Sequence, residues 1–167
     1  MAGGGNGDMT ETIVNAGAQP RVVFRGVSEL VLDAKGRLAI PTRHREGLTG
    51  NGQLIITVDH GGCLLIYPFV EWTPIETRLM SLSSFDDQIR SVQRLMLGHA
   101  DEVDIDAAGR ILIPPALRKY AGLDKRVVLV GQGRKLELWD DVRWQAQIAR
   151  PISFPDGLPA ELEGLSL

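Results

Sequence analysis

The chain has 167 residues, 44% hydrophobic and 23% charged, with a net charge of −3, the mix expected of one folded domain or two small ones sharing a core. That mild acidity excludes a uniformly basic nucleic-acid coat and leaves only binders whose basic groups are clustered. Cys63 is the sole cysteine, so no intramolecular disulfide forms, and no apolar run nears the roughly 18 residues of a membrane-spanning helix.

Residues 1–23 are expected to be a disordered extension, rich in Gly, Asn and Thr and without apolar periodicity. They also lack the basic and apolar regions of a signal peptide, which points to the reducing cytoplasm. An alternating strand over 27–32 then enters a tight turn, Asp33-Ala-Lys-Gly-Arg37, and leaves as a strand over 37–40. In such a turn Asp33 accepts backbone N–H bonds and Gly36 takes the positive φ. Pro41 opens a short helix that Gly47 is expected to stop, and strands over 53–58 and 63–67 follow. Thr73-Pro-Ile-Glu76 has the spacing of a capping box with Pro74 at the first helical position. Ser84 is placed to cap a second helix carrying Phe85, Ile89, Val92, Leu95 and Met96.

The first pattern then returns. Leu30-Val-Leu-Asp-Ala-Lys-Gly-Arg-Leu-Ala-Ile-Pro41 reappears as Val103-Asp-Ile-Asp-Ala-Ala-Gly-Arg-Ile-Leu-Ile-Pro114, an offset of 73 that matches Asp33, Gly36, Arg37 and Arg45 to Asp106, Gly109, Arg110 and Arg118. Strands are predicted over 103–105, 110–113, 126–130 and 135–139. A helix begins at Pro115 and ends at Gly122, and Asp140 or Asp141 starts a last helix through Trp144. The division this implies is a first unit over 24–72, linker helices over 73–100, a second unit over 101–150 and a tail over 151–167. A unit of about four short strands has open edges and little core, so the copies are expected to pack as a pseudo-dimer.

The chemistry sits in the duplicated turns. Asp33 and Asp106 read as turn-formers, whereas Arg37 and Arg110 project where a guanidinium forks onto a guanine edge or clamps a phosphate. From Arg25 to Arg45 five basic residues (Arg25, Lys35, Arg37, Arg43, Arg45) face two acids, a local balance of +3. From Asp101 to Lys119 the balance is −1, and Ala108 replaces Lys35. The expected DNA-binding set is therefore Arg25, Lys35, Arg37, Arg43, Arg45 and Arg110, with the first unit the stronger and the second mainly architectural. No metal site is expected, since His60 and Cys63 have no companion pair and His44 and His99 are isolated. No nucleophile or acid–base pair is recognisable, so an enzyme and a cofactor are not expected.

Phe24-Arg-Gly, the run from Leu32 to Arg45 and the run from Asp104 to Arg118 together resemble the MraZ family of bacterial transcriptional regulators, over about residues 24–150. The resemblance implies a mainly β protein with short helices, built of two tandem SpoVT-AbrB swapped-hairpin units packed as a pseudo-dimeric barrel. It also implies a cytoplasmic, nucleoid-associated repressor that binds direct repeats of double-stranded DNA upstream of its own division and cell wall gene cluster. The implied oligomer is a ring of identical copies, with no membrane or small-molecule substrate. Members of the family begin at Met-Phe-Arg-Gly where this chain has Val22-Val-Phe-Arg-Gly, so translation is expected to start at Val23. The competing readings are an AbrB-like regulator of antitoxin type that holds a toxin through its tail, an enzyme on a related barrel, and a non-catalytic scaffold.

Overall fold

The computed structural model describes residues 22–50 and 53–166. Most of the expected N-terminal extension, residues 1–21, lies outside them. In chain order the elements are β1 (Val27–Val31), β2 (Arg37–Ala39), α1 (Thr42–Thr49), β3 (Leu54–Val58), β4 (Leu64–Pro68), α2 (Phe69–Ser81) and α3 (Asp87–Met96). There follow β5 (Asp101–Val103), β6 (Arg110–Leu112), α4 (Pro115–Ala121), β7 (Arg126–Gly131), β8 (Leu136–Asp140) and α5 (Asp141–Ile148), then a 3-10 turn at Ala160–Leu162.

Six strands form an antiparallel sheet in the order β1-β7-β8-β4-β3-β5, while β2 and β6 pair with each other as a separate ribbon. The order is pseudo-symmetric. β1 pairs with β7 as β5 pairs with β3, and the relating axis passes between β4 and β8 and between β2 and β6. The fold is thus mainly β with short helices, and each unit lends its first strand to the other's sheet. Among the described residues no ladder joins β1 to β5, so the sheet stays open rather than closing into a barrel.

Period-two alternation in the inner strands buries both faces of this sheet. Leu54, Ile56, Leu64, Ile66, Val127, Leu129, Leu136 and Leu138 point to one side, where Leu38 and Ile40 of the first unit and Ile111, Ile113 and Leu117 of the second cover them. Ile55, Leu65, Tyr67, Val128, Val130 and Trp139 point to the other, beneath Trp72 and Leu79 of α2 and Trp144 of α5. The ribbon is therefore a lid on the shared core, and neither unit completes its core alone.

The strands flanking each turn diverge, β1 to β7 and β2 to β6, so each pairs with a strand of the other unit. Three local expectations are corrected. Gly47 does not stop α1, which runs to Thr49; a Cβ at Gly47 would stand 2.5 Å from Val22 Cγ1, so this glycine admits the incoming N-terminal segment. The capping box at Thr73 is not used. α2 starts one turn earlier at Phe69, Pro74 lies inside it, and Thr73 Oγ1 donates to the Phe69 carbonyl at 2.9 Å. Burying Trp72 on the sheet is worth on the order of 5 kcal/mol, more than the roughly 3 kcal/mol cost of an interior proline. Finally, Asp86 rather than Ser84 caps α3, accepting from Gln88 N at 2.8 Å and Ile89 N at 3.0 Å.

Candidate nucleic-acid interface

Both turns close in the same way. Asp33 Oδ1 accepts from the backbone N–H groups of Lys35 (2.9 Å) and Arg37 (2.8 Å), and its Oδ2 accepts from Arg37 Nε at 2.7 Å. Asp106 Oδ1 accepts from Ala108 N and Arg110 N, both at 2.9 Å, and its Oδ2 from Arg110 Nε at 2.9 Å. Gly36 and Gly109 hold φ of 85° and 78°, the left-handed region a turn of this kind requires. Donation from the backbone N–H of Arg37 and of Arg110, the largest cause in each case, holds both carboxyls below the usual aspartate range.

Each aspartate thus does two jobs. It shapes the turn, and it grips the guanidinium by Nε, leaving the terminal nitrogens of Arg37 and Arg110 without a hydrogen-bond partner among the described residues. The arginines are about one third exposed, at 35% and 38%. The ribbon sets them on a common surface. Arg37 stands opposite Leu112, and Arg110 opposite Ala39, while Leu38 and Ile111 between them face the core. By strand alternation Arg37, Ala39, Arg110 and Leu112 share the outward face, with Leu112 53% exposed. The ribbon is pinned at both ends, Ile40 N donating to the Gly109 carbonyl at 2.9 Å and Ile113 N to the Gly36 carbonyl at 2.8 Å.

The other expected contacts scatter. Lys35 is exposed in the first turn, two residues before Arg37, and the backbone N–H groups of both donate to Asp33 Oδ1. Arg45 is drawn into the fold: its Nε donates to the Ile40 carbonyl at 2.8 Å and its guanidinium lies on Gly109. Arg118 lies likewise on Gly36, so the two units clasp each other's turns. Arg43 bends over β1, donating to Ser28 Oγ at 2.6 Å and to His44 Nε2 at 3.1 Å. Arg25 is exposed, its backbone against Gly131 at the far end of β7. Leu112 and Ala39 were missed by sequence reasoning. The only signal for them was their alternation with Leu38 and Ile111, which has meaning once the ribbon partner is known.

A family model described as "MraZ protein, putative antitoxin-like" matches residues 23–95 and again 96–159. The chain belongs to the MraZ family. Each matched segment carries one Asp-x-x-x-Arg turn and one strand of the ribbon. The chain is 52% identical over 148 residues to a protein of Thiobacillus denitrificans, and 56% identical over 147 residues to one of Nitrosospira multiformis. It is 51% identical over 152 residues to one of Escherichia fergusonii. Each alignment covers 87% of this chain and the whole of the relative, and each relative is named "Transcriptional regulator MraZ". Among the described residues no group of three or more His, Cys, Asp or Glu is arranged to hold a metal ion, and no helix is long and apolar enough to cross a membrane.

Proposed function

We propose that this chain is a sequence-specific DNA-binding transcriptional regulator whose β2–β6 ribbon enters the major groove. The observation that carries the reading is that Arg37 and Arg110, one from each unit, share the outward face of a two-stranded ribbon, held by Nε with their terminal donors free. The major groove admits such a ribbon, and a guanidinium fork matches guanine O6 and N7. Leu112, level with Arg37, offers the apolar contact that a thymine methyl takes. Lys35 adds a phosphate contact beside Arg37, whereas Ala108 offers none beside Arg110. Arg25 and Arg43 lie off the ribbon as outer phosphate contacts, and Arg45 acts by fixing the second turn.

The full reading is repression of the chain's own promoter, in a division and cell wall gene cluster, by a ring of copies on direct repeats. A single ribbon three residues long makes few contacts, so useful affinity requires several copies engaged together. The working compartment is the cytoplasm, on the nucleoid. The test is binding to the DNA immediately upstream of the gene, compared with a shuffled duplex over a salt series. Preference for the upstream DNA, with affinity falling linearly on a log–log salt plot, supports the reading; equal affinity for both duplexes overturns it.

A further inference from the structure

Beside the first turn lies an open groove of about 810 Å³, between Val31–Ala34 and the end of α4 with its following loop. Val31, Leu32, Ala34 and Leu123 supply its apolar lining. Arg118, Lys119 and Lys125 supply positive charge, against Asp33, already gripped by Arg37, and Asp124. One guanidinium atom here lacks something its counterpart has. Arg45 Nε donates to the Ile40 carbonyl, while Arg118 Nε is buried with no hydrogen-bond partner. A buried donor without a partner is unfavourable, and an incoming acceptor that repositions the guanidinium relieves part of that cost.

The chain carries a segment of complementary chemistry. Residues 151–166 have no Lys or Arg, three acids (Asp156, Glu161, Glu163), and the apolar side chains Ile152, Phe154, Leu158 and Leu165, all exposed. Four large apolar groups held in water on one short stretch mark a surface that a partner covers. The groove lining includes none of these residues. Phe154 lies between Ser153 and Pro155, with Pro151 upstream, so the backbone around this anchor has little entropy to lose on docking. Phe154 lies six residues beyond the end of α5 at Ile148, so an extended chain carries it about 20 Å outward, toward an adjacent molecule.

We infer that this groove is the docking site for the acidic, apolar C-terminal segment of a second copy of the chain, with Phe154 among Val31, Leu32 and Leu123 and Asp156 facing Lys119 and Lys125. The inference rests on the reading that copies assemble, and supplies one contact by which they do so. It also ties assembly to the DNA-reading turn, because Arg118 lies at once in the groove and on Gly36.

The test is fluorescence anisotropy of a labelled peptide of residues 151–166 titrated with the full chain carrying Phe154→Ala, so that its own tail competes weakly. Saturable binding is expected, about tenfold weaker for the peptide with Phe154→Ala. It is also expected to weaken on the chain with Lys119→Glu and Lys125→Glu, and to recover there with the Asp156→Lys peptide. Both lysines are exposed, so these reversals leave the core intact. Equal binding of the two peptides, or indifference to the charge reversal, overturns the inference. Loss of DNA affinity without loss of peptide binding in the reversed chain would assign the groove to DNA instead and also overturn it. Sedimentation of the wild-type chain separates the two levels: assembly without peptide binding refutes the tail contact alone.

Discussion

Arg45 of the first unit occupies the space that a side chain on Gly109 of the second would need. Gly109 also holds a left-handed φ of 78°, so Gly109→Ala adds a clash to a conformational cost of about 1–2 kcal/mol. Gly133 has a φ of 76° with nothing near its missing Cβ, and isolates the conformational part. Urea unfolding is expected to rank Gly109→Ala as more destabilising than Gly133→Ala, with the excess largely relieved when Arg45→Ala is added. An equal cost for the two glycines would show that the clasp has no energetic weight.

His44 gives the stability its pH dependence on the mildly acidic side. It is 4% exposed, edge-on to Phe24 at 5.7 Å, and its Nε2 accepts from Arg43. Burial first, and then the charge of Arg43, hold its pKa below the ordinary 6.5. The unfolded chain therefore takes up the proton first, so stability is intact above about pH 6.5 and declines as pH falls toward the lower native value, by at most roughly 1.4 kcal/mol per pH unit. Asp33 and Asp106, whose pKa values are lowered, add their losses only below the carboxylate range. Urea midpoints from pH 7.5 to 5 should fall for the wild type and stay nearly flat for His44→Gln. A flat wild-type profile contradicts this role.

Cys63 is fully buried, and burial, reinforced by Glu137 and Asp59, raises its thiol pKa well above the usual range. The thiolate is the nucleophile, so iodoacetamide at pH 8 should leave the native chain unmodified and label it only as urea unfolds the core. Stoichiometric labelling in native buffer would contradict the packing around β4.

The turns were legible from sequence because their causes are local. Asp33 with Gly36, and Asp106 with Gly109, are dictated by side-chain acceptance and glycine φ within five residues. The duplication likewise announced a pseudo-twofold core. The partners of the flanking strands were not legible, since β1 meets β7 and β2 meets β6 at separations no periodicity encodes. That one unknown accounts for most of the site that was missed. Without the β2–β6 register, Arg110 looked isolated in an acidic stretch, and Leu112 was one more apolar strand residue. Arg45 looked like another surface cation for the same reason, because Gly109, on which it rests, is 64 positions away in sequence. Thr73-Pro-Ile-Glu76 failed differently: a valid local start signal lost to the burial of Trp72 immediately before it, in a helix that starts one turn earlier.

The central claim is that one ribbon face, supplied by both units, reads DNA. Its most direct test is equilibrium binding of upstream DNA by the wild type, Arg37→Ala and Arg110→Ala, with each fold confirmed by its urea midpoint. Removing a guanine-reading fork costs about 1–3 kcal/mol. Both variants are therefore expected to lose roughly five- to 150-fold in specific affinity, Arg37→Ala the more because Lys35 flanks it. Wild-type affinity in either variant would contradict the account.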